Sequence, residues 1–401
     1  MPFFVTLTFA VLTGLFLMFA YLWIATDTRP VYHQFQLTKE TVPAEEEVRE
    51  IISQNDKYED ILQDESYMAK NNIYAKETAE EDCVTITFAG DILFDPNYAI
   101  MATLQQRGGD ISEGIEADLI EEMKSADIMM LNNEFPYSDR GTPTEEKAFT
   151  FRAPTSYVSY LDDLGVDIVA LANNHAYDYG EEAFLDTLQT LRDADVPYVG
   201  AGVDLEEASA PVYFIANNTK IAFLAATQIE RLENPDTKGA TETTPGVFRC
   251  WDPAKLLETV AETKENCDFL IVYVHWGTEN QEETDWAQDK QALQLVEAGA
   301  DLIIGDHPHI LQKIDIIDDV PVIYSLGNFW FNSRTIDTGM VKVTLSEGKL
   351  QSFQFIPCLQ SGCRTLLLEG EEKREALDKM QELSEDVQID EEGFVSALQV
   401  P

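Results

Sequence analysis

Residues 301–309 read Asp-Leu-Ile-Ile-Gly-Asp-His-Pro-His, a short apolar run of strand length that ends by delivering His307 and His309. The same design recurs along the chain. Phe269 to Val274 runs into His275 and Trp276, Asp167 to Ala172 runs into Asn174 and His175, Val84 to Ala89 runs into Gly90 and Asp91, and Ile128 to Leu131 runs into Asn132, Asn133 and Glu134. The chain has only 5 histidines, so random scatter would rarely place four of them directly after apolar runs. Imidazole is the commonest metal-ligating side chain at neutral pH, and open α/β sheets collect their ligands at the carboxyl ends of the strands. The pattern therefore predicts a metal site assembled from Asp91, Glu134, Asn174, His275, His307 and His309, with Gly90 allowing an ion close to the backbone and Pro308 holding an extended backbone that turns His307 and His309 to one side.

Between these runs lie segments of helical spacing near 113–125, 155–164, 181–192, 254–264 and 286–298. Strand and helix in alternation predict a layered α/β fold. Residues 339–357 read as an antiparallel hairpin closing around Glu347, Gly348 and Lys349. Residues 371–387 place Leu377, Met380, Leu383 and Val387 on one helical face that would dock on the body.

The 401 residues carry 73 acids against 27 bases, a formal net charge of −46. Nucleic acid is excluded as a partner by the lack of clustered Lys and Arg that phosphate contacts require. Residues 3–25 hold no charge and at ~1.5 Å per residue are long enough to span a bilayer. No basic residue precedes them and no clear cleavage site follows, so an uncleaved single-pass anchor is expected rather than a signal peptide. The expected organisation is an anchor at 1–27, an acidic stalk at 28–82 and a body at 83–401, its core at about 84–357. The 5 cysteines form no CxxC pair, which excludes a zinc ribbon; Cys358 and Cys363 could bridge, but buried free thiols are the expectation.

The ordered set Phe-Ala-Gly-Asp (88–91), Asn-Asn-Glu-Phe-Pro (132–136), Phe-Arg-Ala-Pro (151–154), Leu-Ala-Asn-Asn-His-Ala-Tyr-Asp-Tyr-Gly (171–180), Val-His-Trp-Gly (274–277), Gly-Asp-His-Pro-His (305–309) and Tyr-Ser-Leu-Gly-Asn-Phe (324–329) resembles the CapA family of poly-γ-glutamate capsule biosynthesis proteins. The resemblance implies the fold of the calcineurin-like metallophosphoesterases, a layered α/β/β/α sandwich, and a body outside the cell held by the anchor. It implies two divalent metal ions, Mn, Fe, Zn or Mg, with Glu134 in the place of the bridging carboxylate. His175, with Asn174 and Asp91, would then carry the chemistry, His175 lying near the substrate and helping to protonate the leaving group. The chain departs from the superfamily at two places: Leu93 stands where a His follows the first Asp, and Asn133 and Glu134 stand where the second motif offers Asp.

Such a site can activate a bridging water and neutralise oxyanion charge. Arg152, Arg249 and Lys313 are candidates for holding an anionic substrate, since an Arg fork matches carboxylate or phosphate; the bland reading for each is a surface ion pair. Two functions are expected to compete: a metal-dependent hydrolase acting on capsule polymer, phosphoester or wall material, and a non-catalytic metal-binding accessory of a polymer synthase or exporter.

Overall fold

The computed structural model describes residues 54–229 and 238–398. Apolar runs become strands of two sheets. In the first, the order is Arg364–Leu367, Lys349–Ser361, Ile336–Ser346, Val84–Ile92, Ile128–Asn133, Ile168–Ala170, Tyr198–Val199, with Asn328–Trp330 also pairing with 84–92. In the second it is Ile73–Ala75, Val212–Ala216, Thr219–Thr227, Phe269–His275, Leu302–Asp306, Val320–Ile323, Ile314–Ile317. The central pairings are parallel, 84–92 with 128–133 and 219–227 with 269–275 and then 302–306. Strands buried on both faces read as continuous apolar runs, and that is why these stretches lack polar alternation.

Successive side chains of a strand point to opposite faces. On one face Ile86, Phe88, Met130, Ile168, Phe223, Ile271, Tyr273 and Ile304 fall into one buried cluster drawn from both sheets. On the outer face of the first sheet, Met129, Leu131 and Val169 pack with Leu104, Leu119, Met123, Leu188 and Leu191 from its helices. On that of the second, Leu224, Val272 and Ile303 pack with Leu256, Val260, Ala292 and Leu295. The layer order is helix, sheet, sheet, helix, as the family resemblance implies.

The hairpin expected at 339–357 forms, with Val341 opposite Phe355 and Val343 opposite Phe353. The last helix is Gly370–Leu383, shorter than expected. Val387 begins a separate strand, Val387–Ile389, yet still packs in the same buried cluster as Leu377 and Met380.

The stalk expected at 28–82 needs correction from residue 54 onward. Ile73–Ala75 pairs in parallel with Tyr213–Ile215 and extends the second sheet, Asn55 is buried, and Tyr58, Ile61, Leu62 and Met68 pack against the outer core. A three-residue strand set among acids gives too little periodicity to be recognised. Residues 3–25 lie outside the described residues; among those described, no helix is long and apolar enough to cross a membrane. All five cysteines are free thiols, with Cys250, Cys358 and Cys363 buried.

At the amino ends of the parallel strands the chain uses one device repeatedly. Asp127, Asp167, Asp268 and Asp301 each stand just before a strand and accept a hydrogen bond from the backbone N–H of the second residue of the neighbouring one. The donors are Thr85 at 2.7 Å, Met129 at 2.8 Å, Lys220 at 2.8 Å and Leu270 at 2.7 Å. Each carboxylate thus ties two strands in register.

Candidate metal centre

At the opposite, carboxyl ends the strands deliver a different set of groups. Tyr273 points between the sheets, and two residues on, His275 takes the same face by the period of the strand. Asp91 reaches that face through an irregularity. Phe88 faces Met130 and Asp91 faces Asn132, so Ala89 and Gly90 together oppose Leu131. The extra residue re-aims the strand end, as β-bulges beside sites do. Gly90 was expected to allow an ion close to the backbone. Its role here is different: a Cβ at that position would lie 2.0 Å from the Gly327 carbonyl oxygen, which accepts the Asp91 N–H at 3.0 Å.

His307 and His309 also arrive by a route the sequence reading misjudged. An extended backbone through Pro308 was expected, but φ is +103° at His307 and +61° at His309. Left-handed backbone costs a non-glycine residue ~1–3 kcal/mol and persists where the surroundings over-determine it. The two turns bring the rings to 5.8 Å between centroids.

Asp91, Glu134, Asn174, His275, His307 and His309 converge in one pocket. His275 Nε2 lies 2.8 Å from Asn174 Oδ1, 3.0 Å from His307 Nδ1 and 3.5 Å from Glu134 Oε1. His309 Nδ1 lies 3.1 Å from Asp91 Oδ2 and 2.9 Å from Asn328 Oδ1. Donor atoms of Glu134, His275 and His307 all lie within 4.8 Å of one another, and so do those of Asp91, Glu134 and His309. Glu134 belongs to both groups. It is fully buried, and neither carboxylate oxygen has a hydrogen-bond partner. Leaving a buried charged group unpaired is costly, and a divalent cation on each side is the chemistry that satisfies it. The donor set therefore fits a pair of metal ions.

The electrostatics agree. Burial, then the charges of Asp91 and Asp306, push the Glu134 carboxyl well above the usual carboxylate range. Burial pushes His275 down to about 3, aided by His309, His175 and Lys147 against the pull of Asp91. Burial likewise drives His307 far down, with His275 adding to it. Both rings are neutral at pH 7 and keep the lone pairs a metal needs. At His309 burial opposes the charged form, but the hydrogen bond and charge of Asp91 overcome it and raise the imidazole.

His175 stands apart from the ligand groups. Its Nδ1 lies 2.7 Å from Asp178 Oδ2, its Nε2 lies 3.9 Å from Glu134, and its ring packs 4.2 Å from Phe151. Asp178 is itself held by Lys147 Nζ at 2.6 Å and by the Phe151 N–H at 2.7 Å.

Several residues of the pocket stand outside the predicted ligand set. Asn132 donates to Asp91 Oδ1 at 2.6 Å and is itself bonded by Asn173 at 3.1 Å. Asp306 accepts from the Tyr273 hydroxyl at 2.8 Å, and burial followed by the Asp91 charge raises its carboxyl well above the usual range. Asn132, read above at the end of its run, and Asn173, Asp306 and Asn328 all sit within the quoted motifs, and that was the available signal.

The proposed substrate-binding cations are otherwise engaged. Arg152 lies 4.1 Å over the Tyr179 ring and donates to the Arg140 carbonyl at 2.8 Å. Arg249 packs its guanidinium over Gly239, where a Cβ would lie 2.0 Å from Nε. Lys313 pairs with Asp289 and Asp315 at 3.7 and 3.6 Å and lies over Tyr324, a residue of the outer core. The structure brings none of the three among the ligand groups. Leu93 is buried in the outer cluster of the first sheet and donates its N–H to Trp330, so it supplies no pocket donor.

The family model described as Bacterial capsule synthesis protein PGA_cap matches residues 85–333. The PGA biosynthesis protein CapA of Bacillus subtilis (strain 168) is 30% identical over 287 residues, covering 70% of this chain and 72% of that protein. The capsule biosynthesis protein CapA of Bacillus anthracis is 29% identical over 290 residues, covering 69% and 68%. A probable polyglutamine synthesis accessory protein of Mycobacterium tuberculosis is 28% identical over 219 residues, covering 53% and 58%. The matched span contains every ligand group described above, and the chain belongs to the bacterial capsule synthesis protein family PGA_cap.

Proposed function

We propose that the protein is a metal-dependent hydrolase of capsule or cell-surface polymer biosynthesis, acting outside the cell while residues 3–25 hold it in the membrane. Poly-γ-glutamate or a phosphoester of that pathway is its substrate. The observation that carries this reading is Glu134, a buried and unpartnered carboxylate shared by two groups of ligands. Glu134, His275 and His307, with Asn174 beside them, would hold one ion; Asp91, Glu134 and His309 would hold the other. Bound there, two cations would lower the pKa of a shared water toward 7 and stabilise oxyanion charge.

The remaining work falls to the chain's own side chains. Asp178 fixes His175 with Nδ1 turned inward, so Nε2 is the atom that faces the pocket. Carried there, a proton can pass to a leaving group, the role of a positioned general acid. Phe151 covers the ring and limits water at it. Asn132 and Asn173 hold Asp91 and the backbone of His175 in place.

The second reading, a non-catalytic accessory, is supported by Leu93. That position turns into the apolar core, so one ion would have fewer ligands than in an ordinary phosphoesterase. The test is product release from poly-γ-glutamate and from a generic phosphodiester, by metal-loaded and by chelated protein. Hydrolysis that stops on chelation supports the enzyme; polymer binding without product, at full metal content, supports the accessory.

A further inference from the structure

Among the ligand histidines His309 is the more open, its side chain 15% exposed against 1% for His275. The pocket therefore opens on the His309 side. There His309 packs 5.0 Å from Phe331, which also contacts Phe151 at 5.3 Å. Phe331 begins a turn, 331–334, that the fully buried Gln360 fixes in shape. Gln360 Oε1 accepts the N–H groups of Phe331 at 2.8 Å and Asn332 at 3.1 Å, and its Nε2 donates to Asn332 Oδ1 at 3.0 Å and the Arg334 carbonyl at 3.2 Å.

The side chain this turn presents is Arg334. Its Nη1 donates to Asn280 Oδ1 at 2.8 Å, and the Asn280 N–H donates to the carbonyl of Pro308, between His307 and His309, at 2.8 Å. Among the described residues no carboxylate lies within ion-pair reach of this guanidinium, although the chain has 73 acids. Other exposed arginines, such as Arg140 and Arg374, are taken up by acids. An arginine held at a pocket mouth by a neutral amide keeps its remaining donors for an incoming anion.

We propose that Arg334, positioned by Asn280 and by the Gln360-fixed turn, is an anion-binding subsite at the mouth of the metal pocket that receives carboxylates of a polyglutamate chain. The choice of polymer rests on the function proposed above; the subsite itself rests on the geometry. It resolves how a chain of net charge −46 would engage a polyanion: screening limits the far charges to ~8 Å at physiological salt, and the local field at the mouth is set by Arg334.

The experiment measures binding of a poly-γ-glutamate oligomer, and separately of inorganic phosphate, to the full-length, metal-loaded protein in detergent, with metal content determined on every variant. Arg334→Ala is expected to weaken polymer binding roughly tenfold or more at unchanged metal content. Arg334→Lys, which keeps the charge and loses the fork, falls between. Lys349→Ala makes the same charge change on the hairpin beside Asp268 at the other pole and should bind as wild type does. Loss for the polymer alone marks a subsite for the chain's carboxylates, and equal loss for phosphate marks a general oxyanion fork; both support the proposal. Equal affinity of wild type and Arg334→Ala overturns it, as does a wild type that binds neither probe or a Lys349→Ala loss of the same size. Arg334→Ala binding loss in a protein that releases no product would leave the subsite standing and remove the hydrolase reading.

Discussion

The two ends of the parallel strands carry the same kind of side chain in opposite states. At the amino ends, Asp127 accepts from the N–H groups of Ala79 and Thr85 and from the Thr85 hydroxyl, and Asp268 accepts from the Lys220 N–H, Lys57 and Tyr58. At the carboxyl ends, Glu134 accepts nothing, Asn133 Oδ1 and Asn328 Nδ2 also lack partners, and two histidines sit in left-handed backbone. A satisfied buried carboxylate stabilises the fold, and an unsatisfied one destabilises it. One pole is built for register, the other for ligands. A buried carboxylate without a partner, with unmet amide groups beside it, is what a site looks like before its ligand is counted.

The two poles should differ most in their effect on turnover. His175→Ala should slow turnover by roughly 10²–10⁴ while metal content per folded chain stays near wild type; an equal loss of metal would put His175 among the ligands instead. The opposite pole should show the reverse profile. Asp127→Ala leaves two backbone donors and a hydroxyl without their acceptor, at ~1–3 kcal/mol for each group left buried, so a loss of about 2–4 kcal/mol is expected in urea unfolding with metal content per folded chain unchanged. Glu134→Gln, measured in chelator, should raise the free energy of unfolding by ~1 kcal/mol, because it removes a carboxyl whose charged form burial and the acids Asp91 and Asp306 disfavour. Asp127 and Glu134 would thus respond to neutralisation with opposite signs.

The smallest effect is a pH dependence at Asp268. Burial alone would raise this carboxyl, but hydrogen bonds from the Lys220 N–H, Lys57 and Tyr58 outweigh it and hold it below 3.8. A depressed folded pKa contributes stability above the unfolded value that is lost as pH falls through the folded one. The stability deficit of Asp268→Asn should therefore be full at pH 7 and shrink below about pH 3.9. A deficit independent of pH would remove the charge from the account.

The layered fold was legible because its central strands are buried on both faces and its helices on one, which writes runs and helical spacing into the sequence. The helices Ala254–Lys264 and Trp286–Ala298 fall where expected. The ligand groups were legible because each follows its run. What stayed hidden depends on pairing across the chain. Lys147 bonds Asp178 from 31 residues away, and Asp306 acquires its role from Tyr273 and Asp91. Asp127, Asp167, Asp268 and Asp301 share a position before their strands, yet an Asp there reads equally as an ordinary loop residue. Arg152, Arg249 and Lys313 stand away from the ligand groups, and charge alone does not reveal that an aromatic ring, a glycine or an acid lies against them.

Two metal ions sharing Glu134 is the proposal on which the site turns. The most direct measurement is metal stoichiometry by mass spectrometry on the full-length protein after loading with Mn, Fe, Zn or Mg and removal of excess, for wild type, His307→Ala and Glu134→Gln. The account predicts about two ions per wild-type chain, about one in His307→Ala, which keeps Asp91, Glu134 and His309, and a loss of both in Glu134→Gln. Wild-type protein that retains none of these metals, or Glu134→Gln protein that retains as much as wild type, would contradict it.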